Sequence, residues 1–73
     1  MKTLVKFIED QLDLATKYRG NFRLVNSFKH NAYGAAIYAS YCAIDKGDLE
    51  LSREIDDLWN NKYSVRFEAL ICG

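Results

Sequence analysis

Proline is absent from this 73-residue chain, and glycine occurs only four times. So few turn-forming residues exclude a loop-rich scaffold and favour helices joined by short connections. Cysteine occurs twice, at Cys42 and Cys72, thirty positions apart. That is not the disulfide framework of a small secreted domain, and the pair reads as free thiols in a reducing compartment. His30 is the only histidine. One imidazole and two distant thiols fall short of the four close-set ligands of a structural zinc site. No G-x-G-x-x-G or Walker-type loop is present, which excludes nucleotide binding by those routes. Ten basic and ten acidic residues cancel, so the basic excess typical of nucleic-acid-binding domains is missing. No uncharged run reaches the ~18–20 residues needed to cross a bilayer. Met1 to Lys6, followed by Glu9, Asp10 and Asp13, lacks the unbroken apolar stretch of a secretory leader. The expectation is a soluble, cytoplasmic chain with no membrane partner, no cofactor and no metal.

What is present is a single domain over residues 1–73, with 49% hydrophobic residues and ten aromatics among them. A chain of this length buries only roughly 60% of its unfolded surface. Charge is distributed unevenly. Residues 31–44, N-A-Y-G-A-A-I-Y-A-S-Y-C-A-I, carry none, although 27% of the chain is charged. This is the natural central element.

Residues 3–19 give an amphipathic helical pattern, with Leu4, Val5, Phe7, Ile8, Leu12, Leu14, Ala15 and Tyr18 on one half of the wheel. Thr3 is a candidate cap, and Gly20 a candidate terminating residue. Residues 21–30 fit either a helix capped by Asn21 or a later start at Asn26 or Ser27. Within residues 31–44, Ala32, Ala35, Ala36, Ala39 and Ala43 form one stripe, and Tyr33, Ile37, Tyr41 and Ile44 another. A helix apolar nearly all round is buried on more than one side, and Gly34 reads as a point of close approach to a neighbour. Gly47 closes this helix, and Asp48 caps the next.

Leu51, Ile55, Leu58 and Trp59 share a face to about residue 60. Beyond Asn60-Asn61 two patterns overlap. Tyr63, Val65, Phe67, Ala69 and Ile71 alternate as a strand over residues 62–71 would, while Trp59, Tyr63, Phe67 and Leu70 continue the helical face. A strand needs a partner, and the chain offers only Phe22 to Val25. Helix is therefore preferred, kinked at the asparagines. The predicted fold is all-α, a compact three-helix bundle with a largely uncharged, buried central helix.

No nucleophile, base and orienting group assemble around His30, so an enzyme is not expected. Asp56 and Asp57 are adjacent and point to different sides of a helix. The chain is dipolar. Lys17, Arg19, Arg23, Lys29 and His30 form a basic cluster without an acid among them. Asp45, Asp48, Glu50, Glu54, Asp56 and Asp57 stand against only Lys46 and Arg53. Such a layout steers charged partners or favours self-association. The expected function is a protein–protein interaction module, an accessory or inhibitory protein of a phage or mobile element, acting by docking on a protein or on a second copy to form a homodimer. The candidate interaction surface is Tyr33, Tyr38, Tyr41, Asp48, Glu50, Glu54, Asp57 and Trp59. The alternative is a helix-turn-helix DNA-binding regulator that contacts phosphate through the basic cluster, a reading disfavoured by an uncharged middle helix and an acidic third.

Overall fold

The computed structural model describes residues 1–72. The chain runs through α1 (Lys2–Lys17), α2 (Phe22–Asp45), α3 (Leu49–Leu58), a π turn (Trp59–Tyr63) and α4 (Ser64–Cys72). The last three follow one another without a loop, so the architecture is the expected three-helix bundle, with its third helix divided by the π turn. Contacts along the bundle fix an up-down-up course. Gln11 of α1 meets Asn31 of α2, and Tyr18 stacks on Phe28. Ser40 and Tyr33 of α2 meet Ser52 and Trp59 of the third helix in turn. The bundle measures 41 × 18 × 17 Å.

Local chemistry sets the helix ends. Met1, not Thr3, occupies the N-cap of α1, and no side chain caps it. Thr3 lies inside the first turn. Asn21 settles the ambiguity of residues 21–30. Its side-chain oxygen accepts the Leu24 N–H at 3.2 Å, so α2 starts at Phe22 and satisfies an otherwise orphaned amide. At the other end, the Asp48 N–H bonds the Ala43 carbonyl at 2.8 Å and the Gly47 N–H bonds Ile44 at 2.9 Å. This paired closure needs a left-handed residue, which Gly47 supplies at φ +79°. Asp48 then accepts the Leu51 N–H at 3.1 Å and starts α3.

The alanine stripe faces inward as its spacing implies. Ala32, Ala36 and Ala43 are buried, with Ala35 and Ala39 half-buried. Ile8, Ala15, Val25, Ile55, Trp59, Tyr63 and Phe67 complete the core. Trp59 packs between Tyr33 and Phe67, with ring centroids at 5.4 and 5.8 Å. Between α2 and α3 the buried hydroxyls of Ser40 and Ser52 meet at 2.8 Å.

Residues 62–71 are helical, and the π turn explains how. Leu51, Ile55, Trp59, Tyr63, Phe67 and Ile71 recur every four residues. In an α-helix each such step overshoots a full turn by about 40°, so the series would wind away from the core. The wider turn at Trp59–Tyr63, closed by the Ser64 N–H on the Trp59 carbonyl, absorbs one extra residue and brings Phe67 back inward.

Tyr63 closes the core from this turn. Its side chain is fully buried, and its hydroxyl donates to Glu9 Oε2 at 2.9 Å. Burial first, and then the Glu9 carboxylate, push its pKa up to about 12. A tyrosine held neutral in the fold stabilises it fully below its ordinary pKa of 10 and stops doing so as pH rises toward 12. Tyr63→Phe is therefore expected to flatten the loss of stability between pH 10 and about 12. Urea midpoints measured across that range check it, and an unchanged alkaline slope contradicts it.

Candidate docking surface

One element places most of the candidate surface. α2 turns its alanines inward and leaves the opposite side open. At about 100° per residue, Arg23, Ser27, His30, Tyr38, Tyr41 and Asp45 fall within about 40° of Gly34 on either side. Every one of the seven is exposed. Tyr38 and Tyr41 are 72% and 64% exposed, and Ile44 and Leu49 extend the apolar area toward α3. The Tyr38 hydroxyl is held above its ordinary pKa, chiefly by the Cys42 side chain one turn on. Beside Tyr38, a groove of about 250 Å³ runs between Met1, Leu4, Cys42, Leu51 and Ile55. That volume lies below the ~300–1,000 Å³ of small-molecule pockets.

Gly34 does not mark a close approach inside the bundle. A Cβ placed there meets nothing within 4 Å. The residue lies on the open side, where glycine weakens a helix by up to ~1 kcal/mol against alanine and gains no contact within the chain. α2 as a whole is buried along one face rather than on several.

The sequence-identified residues divide accordingly. Tyr38 and Tyr41 lie on the open face, while Tyr33 sits at its edge with its ring against Trp59. Trp59 itself is only 6% exposed and belongs to the core, because the face shared by Leu51 and Ile55 points inward. Asp48, Glu50, Glu54 and Asp57 are exposed on the cap and outer side of α3, with the Asp48 carboxylate already engaged at the helix start. In the basic cluster, Lys17, Arg19, Arg23 and His30 are exposed. Lys29 is not a free cation, since it pairs with Glu68 of α4. The bundle brings Lys17, Arg19 and Arg23 together at the α1–α2 turn. Asp45, Asp48 and Glu50 gather at the α2–α3 turn, some 33 Å away along α2 at 1.5 Å per residue.

Two residues gain a significance that composition did not give them. Arg23 stands in the first turn of α2 and Asp45 in the last, with no acid in the first turn and no base in the last. Both charges therefore oppose the helix macrodipole, whose N-terminus favours anions and whose C-terminus favours cations. The two ion pairs among the described residues are Lys6–Asp10 and Lys29–Glu68, so neither Arg23 nor Asp45 is held in an ion pair there, and Lys46 at the C-cap is the one cation beside Asp45 at that helix end. Reading helix ends for charges of the wrong sign would have singled them out.

Among the described residues, no three His, Cys, Asp or Glu side chains converge as metal ligands, and no helix is long and apolar enough to cross a membrane. Comparison with protein-family models, curated proteins and solved structures finds no match for this chain.

Proposed function

We propose that this chain is a small cytoplasmic docking protein that acts through the open face of α2 and not by catalysis. The supporting observation is the pair Tyr38 and Tyr41, left 72% and 64% exposed on a helix whose open side carries no charge between His30 and Asp45. Tyrosine is favoured at the centre of protein interfaces, and charge is depleted there. The acids at one end and the bases at the other form the polar rim that orients a partner. An accessory or inhibitory role suits a chain whose chemistry lies wholly in its surface.

The DNA-binding reading has less support. Helix-turn-helix elements cross at about 90–120°, whereas α2 and the third helix run antiparallel with contacts from Ser40–Ser52 to Lys29–Glu68. Lys29 is also spent in that last pair.

The docking reading is tested with Tyr38→Ala/Tyr41→Ala. Both residues are exposed, so the circular dichroism and melting of the double variant are expected to match the parent. Binding to a protein partner, or to a second copy, is expected to weaken at least tenfold, the usual consequence of truncating an aromatic anchor. Unchanged binding by the double variant overturns the assignment of this face.

A further inference from the structure

We propose that the open face of α2 pairs with the same face of a second copy, antiparallel, with Gly34 at the two-fold axis. The inference rests on the docking reading above and specifies its partner.

Three features of α2 converge on this arrangement. The first is spacing. Arg23 and Asp45 lie eleven residues to either side of Gly34, Ser27 and Tyr41 seven, His30 and Tyr38 four. An antiparallel pair crossing at Gly34 therefore sets Arg23 against the partner copy's Asp45, Ser27 against its Tyr41 and His30 against its Tyr38. Each contact occurs twice, as an isologous interface requires. The second is charge. Arg23 at the positive end of α2 and Asp45 at the negative end are each set against their own dipole. In an antiparallel pair the positive N-terminus of one helix lies beside the negative C-terminus of the other, so Arg23 faces both Asp45 and the terminal carbonyls of the second copy. A parallel pair would instead put Arg23 against Arg23 and Asp45 against Asp45. The third is Gly34. It weakens the isolated helix and touches nothing in its own chain, but two glycines at a crossing let backbones approach near the short end of the ~8–10 Å interaxial range.

The crossing must be shallow. Arg23 and Asp45 sit about 16 Å from the crossing point. At the ~20° angle of coiled-coil-like packing the two helices are still within side-chain reach there, and at ~50° they are not. The flanks agree, since Lys17 and Arg19 at the basic end then lie toward Asp48 and Glu50 of the second copy. End-to-end stacking of the two charged ends would also satisfy the charges, but it would leave Tyr38, Tyr41 and Gly34 uncovered. A helix face about 36 Å long and 10 Å wide buries some ~700 Å² in total, under the ~1,200 Å² of stable complexes. The pair is therefore weak and is populated at high concentration.

The test is a charge exchange read by sedimentation equilibrium at low salt. The parent is expected to show monomer–dimer equilibrium and no larger species. Arg23→Asp or Asp45→Arg alone is expected to weaken the dimer roughly tenfold or more, because each places like charges together twice per dimer. Each single change also corrects α2 against its own dipole, so the monomer is expected to melt higher, which separates lost pairing from lost folding. The double variant Arg23→Asp/Asp45→Arg restores the dimer, and mixing the two single variants yields a heterodimer. A parent that stays monomeric up to millimolar concentration, or growth into open oligomers, overturns the pairing. Association unaffected by both exchanges overturns the register. If that association is nevertheless lost in Tyr38→Ala/Tyr41→Ala, the docking reading stands without this geometry; if it survives there too, both fall.

Discussion

Phe67→Ala is expected to lower stability by about 3–5 kcal/mol, whereas Val65→Ala, two residues earlier, changes it by less than about 0.5 kcal/mol. Phe67 is 0% exposed and packs against Trp59, while Val65 is 60% exposed on the outside of α4. Truncating the phenyl group removes its transfer free energy and leaves a cavity that the flanking π turn and Trp59 fill incompletely. Domains of this size typically hold only about 4–11 kcal/mol in all, at 0.05–0.15 kcal/mol per residue. The variant is thus expected to lose a large share of its cooperativity in urea, or to be unfolded at the outset. Val65→Ala replaces a β-branched residue by the best helix former and is neutral or slightly favourable. In a strand over the same residues, Val65 would share the buried side with Phe67 and its truncation would be costly. Urea denaturation of the two variants side by side checks the contrast, and comparable losses would contradict the helical placement of residues 64–72.

The second large effect concerns the pair Ser40 and Ser52, each about 5–6% exposed, with hydroxyls 2.8 Å apart across α2 and α3. Ser40→Ala or Ser52→Ala alone is expected to cost about 1–3 kcal/mol, because it strands a buried hydroxyl without its partner. Removing both leaves nothing unsatisfied, so Ser40→Ala/Ser52→Ala is expected to lie close to the parent. The two single losses then fail to add by about 2–6 kcal/mol, the sum of the two, whose lower part matches the coupling of directly contacting residues. A double-mutant cycle by chemical denaturation measures that difference. Additive losses would mean that each hydroxyl bonds its own helix backbone instead. The interest of the pair is positional: among the alanines of α2, Ser40 is the one polar residue turned fully inward, and it has a single matching position on α3.

Much of the fold is legible in the sequence where one period dominates. α1 is read from its apolar half-wheel, and the end of α2 and the start of α3 from Gly47 and Asp48, whereas the start of α2 stays open between Asn21 and Asn26 or Ser27 until the Asn21 cap is seen. Residues 62–71 are ambiguous for a definite reason. A ladder of four-residue steps is also a ladder of two-residue steps, so Tyr63, Phe67 and Ile71 fit helix and strand alike. Val65, Ala69 and Leu70 discriminate: the first two are exposed and Leu70 packs against the core, as a helix requires. Trp59 illustrates a different limit, since aromatic character marks cores and interfaces equally until packing assigns it. Gly34 differs from its expected place because an uncharged stretch suggests burial all round, whereas the open side of α2 is lined by tyrosines and glycine in place of charges. The significance of Arg23 and Asp45 lay outside that stretch and became readable once α2 was known to run from Phe22 to Asp45.

The π turn has a consequence for chain length. Between Leu49 and Cys72 the helix holds one residue more than a continuous α-helix needs to present the same inward side chains. Removing either Asn60 or Asn61 would shorten the one step from Trp59 to Tyr63 from four residues to three and leave the other steps at four, so that the wider turn is no longer needed to keep Phe67 inward. Both asparagines are exposed and neither contributes to the core. At this turn a residue can be lost while Ile55 and Phe67 keep facing the same neighbours.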